Sequence, residues 1–219
     1  MLRLKTFQLL EERLRKRNLA LKNMGEIRNL TLIDAIIPKI ESKTLSLAKD
    51  IVLVLGFAIL TGISAKLKIE IWPVPITMQT FVVLLAGALL GSKKGALSQI
   101  TYLLIGMSGL PWFVRGGGIG YIMSPTFGYI IGFVFAAYSI GWLCERGFDR
   151  NLKTAILAML IGNIILYIPG LFWLAKFIGF GKVLAVGFYP FILGDLLKFI
   201  LAGVLLPLGW KVIKATKSE

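Results

Sequence analysis

The chain has 219 residues, 57% of them apolar, and its mean hydropathy is +0.81, whereas soluble domains hold roughly 45–50% apolar residues. Its formal net charge is +14, with 25 Lys and Arg against 11 Asp and Glu, no histidine, and Cys144 as the one cysteine. These counts exclude a water-soluble globular class, histidine-ligated zinc, Ser/His/Asp triads and an intrachain disulfide.

Several apolar runs approach the roughly 20 residues that cross a bilayer as a helix. The short alternating segments of a transmembrane barrel are missing. The expected class is an all-α membrane protein. The basic residues sit mostly in tails and short loops, so the positive charge reads as topology and contact with anionic membrane lipid, with no nucleic-acid partner. The phosphate-loop pattern Gly-x-x-x-x-Gly-Lys-Ser/Thr does not occur, so any ATP used in transport is hydrolysed by another polypeptide.

Residues 1–45 carry ten Lys and Arg against five acids, with Leu10, Leu14 and Leu21 at loosely helical spacing. They lack the continuous apolar core of a signal peptide. They read as a basic N-terminal extension, either an amphipathic surface helix or a disordered segment. Residues 46–219 form the membrane domain.

The first span is expected at 47–65. Ala58 and Gly62 lie four apart in it, a spacing that lets a second helix approach closely. That second helix belongs either to a partner subunit or to this chain. Residues 66–75 form a stiff interfacial loop with Trp72, Pro73 and Pro75. The second span is expected at 76–90, with Gln79 near its start. A basic turn at 91–95 leads to the third span, 96–107.

Residues 108–125 are rich in glycine, with Arg115 just before Gly116-Gly117-Gly118. Such a loop can fold tightly over a ligand, exposing backbone N–H groups while Arg115 offers a fork to a carboxylate. The alternative is an interfacial loop with a snorkelling Arg. The fourth span is expected at 125–144, the fifth at 154–169 with Asn163 and Tyr167 on one face. Residues 170–189 read as a short interfacial helix plus a turn, and the sixth span as 191–210.

Six spans put both termini on one side. The loops that would then be inside hold Lys93, Lys94, Arg146, Arg150 and Lys153, and this bias places the termini in the cytoplasm. Asp195 and Lys198, three apart at the start of the sixth span, share one helix face in apolar surroundings. An ionisable pair at that depth is costly and marks a candidate functional site. Its bland counterpart is a self-satisfied pair that fixes helix packing. Gln79, Arg115, Thr126, Asn163 and Tyr167 can converge at the same depth. The set suits a small molecule with a carboxylate and an amide- or urea-like head. Asp195 would accept N–H bonds, Asn163 or Lys198 would donate to a carbonyl, and Trp112, Phe113, Tyr121 and Tyr167 would line an apolar middle.

Four motifs occur in order: Val74-Pro-Ile-Thr-Met-Gln79, Gly116-Gly-Gly-Ile-Gly-Tyr-Ile-Met-Ser-Pro-Thr-Phe-Gly-Tyr129, Gly162-Asn-Ile-Ile-Leu-Tyr167 and Pro190-Phe-Ile-Leu-Gly-Asp-Leu-Leu-Lys198. Together they resemble the BioY family, the biotin-specific S components of energy-coupling factor (ECF) transporters, from about Ser46 to the C-terminus. The resemblance implies an S-component fold of six transmembrane helices in a prokaryotic cell membrane. It implies biotin as the transported ligand, no cofactor and no catalysis. It also implies a transmembrane scaffold (T) subunit and two ATP-binding subunits as partners. By motif match, Asp195 and Lys198 take the acidic and basic roles in the last helix, and Arg115 the carboxylate contact. Asn163, Tyr167, Gln79, Tyr121, Gly117 and Thr126 complete the substrate-binding set, with Ala58 and Gly62 for partner docking. The family often has another glycine where this chain has Thr126-Phe127-Gly128, so the loop here is bulkier. An S component for another vitamin and a proton-coupled carrier are the alternatives. The Gly-Asp-x-x-Lys motif argues against the first, the lack of histidine and of a second buried carboxylate against the second.

Overall fold

The computed structural model describes residues 30–37 and 40–216. Most of the segment read as an N-terminal extension therefore lies outside the described residues. Of the part that is described, the stretch from Thr31 to Ala35 packs on the helices, whereas Glu41 to Leu45 are exposed. Thr31 caps a five-residue helix, α1 (Leu32–Ile36), accepting from the Asp34 amide at 3.2 Å. Leu32 and Ala35 are buried. A Cβ on Gly209 would lie 2.9 Å from Leu32, so the glycine makes room for this helix against the C-terminal one.

The helices that follow are α2 (Lys43–Ser64), α3 (Gln79–Leu90), α4 (Ser92–Met107), α5 (Phe127–Cys144), α6 (Leu152–Ile178), α7 (Phe180–Gly187) and α8 (Ile192–Thr216). Short 3-10 turns at Ile119–Met123, Phe148–Arg150 and Tyr189–Phe191 lead into α5, α6 and α8. Among the described residues four stretches are long and apolar enough to cross a membrane: Lys43–Ser64, Phe127–Cys144, Leu152–Ile178, and Phe180–Thr216 taken through its turn. α3 is a shorter apolar helix.

α5 is the centre of the bundle. It packs on α3, α4 and α6 with most of its residues buried, and one apolar face, with Phe135, Tyr138 and Trp142, is exposed. No polar stripe interrupts Phe127–Cys144, as expected of a helix whose faces meet other helices or lipid rather than water. Small residues set its distance from α6. A side chain at Gly132 would run into the Leu166 carbonyl, and one at Gly162 into Ile140. Without hydrophobic driving force between helices in lipid, such close backbone approach is how they gain dispersion contact.

The helix ends differ from the sequence expectation where polar groups find partners. α4 starts at Ser92 rather than near Ala96 because the Glu145 carboxylate accepts from the Ser92 amide at 2.7 Å and its hydroxyl at 2.9 Å, capping the helix from a neighbouring one. α6 passes through Pro169 and continues to Ile178. Proline forfeits one ladder bond, but Gly170 beside it lets the Tyr129 ring lie against the helix, and Leu174 and Ala175 still reach the core. At 27 residues α6 is about 40 Å long, more than the ~30 Å of a hydrocarbon core. The helix-plus-turn expected at 170–189 is therefore displaced to Phe180–Phe191, after a break at Gly179 with φ of +80°. α8 runs six residues past Trp210, through Pro207.

The expected stiff loop at 66–75 is closed at its base by two antiparallel two-residue strands, β1 (Lys68–Ile69) and β2 (Ile76–Thr77). Three cations pin it to the glycine-rich loop. Lys66 donates to the carbonyls of Pro111 and Phe113 at 2.8 Å each, and Lys68 to that of Val114 at 3.3 Å. Arg115 reaches the Pro73 carbonyl at 3.1 Å.

Candidate functional site

The first turn of α8 carries Asp195, and Lys198 follows one turn later. Both are buried, at 4% and 7% exposure, in apolar surroundings that would not tolerate either charge alone. Asp195 Oδ2 accepts from the Tyr167 hydroxyl at 2.6 Å and from Asn163 Nδ2 at 2.9 Å, both on α6. Asp195 Oδ1 accepts from Lys198 Nζ at 3.2 Å. The ammonium also donates to the Thr77 carbonyl at 3.1 Å and to Thr80 Oγ1 at 2.6 Å. One ion pair thus joins α8, α6, β2 and α3.

Two acceptors remain open in this cluster. A carboxylate offers about four lone-pair positions, and Asp195 uses three. Asn163 Oδ1 is fully buried with no hydrogen-bond partner among the described residues. A buried polar atom left unpaired costs about 1–3 kcal/mol, so a ligand donor that reaches it gains the difference.

Beside the cluster lies a narrow cleft. Lys198, Thr77, Gln79 and Thr80 line its polar end, and Tyr129, Ile130, Phe133, Leu166 and Phe191 its apolar body. Tyr121, Thr126 and Tyr167 add hydroxyls to the wall. The Tyr121 hydroxyl and Thr126 Oγ1 are hydrogen-bonded at 2.9 Å. Gln79 donates to the buried Tyr102 hydroxyl at 2.7 Å, which fixes its amide.

Asp195, Lys198, Asn163 and Tyr167 therefore meet directly. Gln79, Tyr121 and Thr126 share the cleft with Lys198 and Tyr167, whereas Asp195 and Asn163 do not line it and lie behind Lys198 and Tyr167. Arg115 stands apart, since Val114 rather than Arg115 lines the cleft. Arg115 grips Glu70 Oε1 through Nε at 2.9 Å and Nη2 at 2.8 Å, and so clasps the 70–73 turn. The hydrogen bonds from Lys68 and Arg115 hold the Glu70 carboxyl below the usual carboxylate range. Gly117 packs against the Leu110 carbonyl, while Gly116 and Gly118 have φ of +123° and +91°, the left-handed region that glycine enters freely. Ala58 is fully buried, and a Cβ on Gly62 would lie 2.8 Å from the Trp112 ring. Both small residues face this chain's own interior, which is the second of the two partners their spacing allowed. Trp112 and Phe113 sit behind the wall, packed on Tyr102.

Sequence reasoning passed over Thr80, Glu70, Tyr129 and Phe133. Thr80 adjoins Gln79 in the first turn of α3, and Glu70 is the single acid of the 66–75 stretch, so each had a signal. Tyr129 closes the second of the four motifs and so had one too, whereas Phe133, four residues on in an apolar helix, had none. Among the described residues no cluster of His, Cys, Asp or Glu is placed to hold a metal ion.

The opposite end of the bundle is structural in character. Lys94 bridges Asp34 at 3.2 Å and Asp50 at 3.3 Å, Lys49 lies 3.6 Å from Asp34, and Trp210 Nε1 donates to Asp149 at 2.6 Å. The ligand-like chemistry thus lies at one end and the ionic ties at the other. A sequence profile of the BioY family matches residues 37–215. The chain belongs to the BioY family. Among relatives, "Probable biotin transporter BioY" of Pyrococcus horikoshii is 42% identical over 152 residues, 69% of this chain and 90% of that protein. "Probable biotin transporter BioY" of Lysinibacillus sphaericus is 39% identical over 186 residues, covering 81% and 93%. The fold is similar to the crystal structure of the S-component for biotin from an ECF-type ABC transporter, with a TM-score of 0.69 at 26% identity over 78% of this chain and 95% of that one.

Proposed function

We propose that this chain is the biotin-binding membrane subunit of an ECF-type uptake transporter, and that it performs no catalysis of its own. The observation that carries the reading at this site is the pair of unfilled acceptors, the fourth position of Asp195 and the buried Oδ1 of Asn163. A cyclic urea presents one N–H donor on either side of its carbonyl, and both would be left without water's hydrogen bonds on entering so apolar a cleft. Donation to Asp195 and Asn163 replaces those bonds, with Tyr167 and Lys198 holding the carboxylate in place. The aromatic and aliphatic wall suits a thioether ring and an aliphatic chain.

At the other end of the ligand, the Tyr121 and Thr126 hydroxyls and the glycine loop around Gly117 supply donors for a carboxylate. Arg115 joins them by exchanging the Glu70 carboxylate for that of biotin. Gln79, held by Tyr102, completes the wall.

The four long spans with α3 and α4 make six crossings of a prokaryotic cytoplasmic membrane. The termini are cytoplasmic, which puts the ionic ties of Asp34, Lys94 and Asp50 inside and the cleft near the outer face. The partners are a transmembrane scaffold subunit and two ATP-binding subunits, which bind and hydrolyse the ATP. The unpaired apolar face of α2, with Val52, Gly56 and Ile59 turned outward, is available to lipid or to the scaffold subunit.

Liposomes containing the purified chain test this division of labour. Alone, the chain should bind biotin without sustained uptake, and uptake should begin when scaffold and ATP-binding subunits are co-reconstituted with internal ATP. Uptake driven by a pH gradient with the chain alone would contradict it.

A further inference from the structure

A lysine ammonium has three N–H donors, and Lys198 spends all three within the protein, on Asp195, Thr77 and Thr80. None is left over for a ligand. Thr80 is different. Its Oγ1 accepts the shortest of these bonds, 2.6 Å, so its own hydroxyl proton must point elsewhere. Among the described residues Thr80 Oγ1 makes no other hydrogen bond, and Thr80 lines the cleft. Hydrogen bonds polarise one another in a low-dielectric interior, so a hydroxyl that accepts from a cation is a stronger donor.

We propose that the Thr80 hydroxyl donates to the urea carbonyl oxygen of the ligand and so relays the charge of Lys198 to it. This rests on the reading that the cleft takes the urea head of biotin. The geometry supports the choice of oxygen. Asp195 and Thr80 are bonded to the same ammonium, so acid and hydroxyl flank one nitrogen. In a cyclic urea the N–H and C=O are attached to the same carbon, so one edge of the ring can meet Asp195 and Thr80 together. Thr80 thereby selects for an acceptor at that carbon, and Lys198 acts as the residue that positions and polarises it.

The test is calorimetric titration of the full chain and its variants with three probes: biotin, biotin methyl ester, and the thiourea analogue in which sulfur replaces the urea oxygen. Thr80→Val should weaken biotin about tenfold, and the methyl ester by a similar factor. Thr80→Ser keeps the hydroxyl and should bind within about twofold of the unaltered chain. The thiourea, a poorer acceptor, should lose only about twofold on Thr80→Val. Thr80→Ala replaces Thr80→Val should the valine variant fail to fold. An equal loss for biotin and the thiourea would make Thr80 a mere prop for Lys198 and overturn the inference. A loss that disappears with the methyl ester would assign the donor to the carboxylate and also overturn it. Unaltered affinity in Thr80→Val would do the same while leaving the biotin reading intact. Failure of the unaltered chain to bind biotin would instead remove that reading, and this inference with it.

Discussion

The phenolic hydroxyl of Tyr167 donates to Oδ2 of Asp195 at 2.6 Å and ties the middle of α6 to the first turn of α8. It is a charge-assisted bond in apolar surroundings, where such bonds are short and strong. Removing the hydroxyl in Tyr167→Phe leaves the carboxylate less well held. Biotin affinity should fall about three- to tenfold, and titration of the folded variant checks it.

Gly62 and Gly56 lie on one helix with opposite surroundings. A side chain at Gly62 meets the Trp112 ring, whose indole N–H is bonded to the Tyr102 carbonyl at 3.0 Å, while one at Gly56 meets nothing within 4 Å. Gly62→Leu should therefore lower the melting temperature in detergent by about 5 °C or more, and Gly56→Leu should leave it unchanged. In the assembled transporter Gly56→Leu should weaken recovery of the scaffold subunit while sparing biotin binding, which affinity purification of the complex would measure.

Asp149, in the connection between α5 and α6 at the end of the bundle away from Asp195, is fully buried, so the chain does hold a second buried carboxylate, contrary to the sequence expectation. Burial pushes its carboxyl up to about 6 from 3.8, against the opposing hydrogen bond from Trp210 and the charge of Arg150. Its folded value is above the unfolded one, so the folded chain holds the proton more firmly. Stability should fall as pH rises from about 4 to about 6 and stay lower above that, a span worth on the order of 3 kcal/mol. Asp149→Asn keeps an acceptor for Trp210 and removes the titration. The unaltered chain should melt a few degrees higher at pH 5 than at pH 7.5, and the variant should lose that difference.

The Arg115–Glu70 clasp titrates in the other sense. Glu70 is held below its ordinary range by Lys68 and Arg115, so the clasp is complete above that range and is lost as the pH drops through the depressed value. It is exposed, and salt screens it. Arg115→Gln should raise amide hydrogen exchange across residues 68–77 at neutral pH while leaving α5 and α6 unchanged.

Much of the site was legible because polar residues are conspicuous in apolar helices. Asp195 and Lys198 at i and i+3, and Asn163 and Tyr167 at i and i+4, stand out as faces that lipid would reject. The spans were legible for the same reason, from Phe127–Cys144 above all. What the sequence hid depends on distant pairing. Glu145 starting α4 and Glu70 engaging Arg115 are contacts across 53 and 45 positions. Pro169 reads locally as a helix end, and only the packing of Tyr129 against Gly170 shows why α6 runs on. Ala58 and Gly62 announce a close approach but not by what, and for Gly62 the Trp112 ring supplies the answer from a loop.

Titration of biotin into the purified chain and into Asp195→Asn tests the central claim most directly. The account predicts one biotin per chain, bound tightly, and more than a tenfold loss in the variant, above about 1.4 kcal/mol. Equal affinity in the two proteins, or no binding of biotin by the unaltered chain, would contradict it.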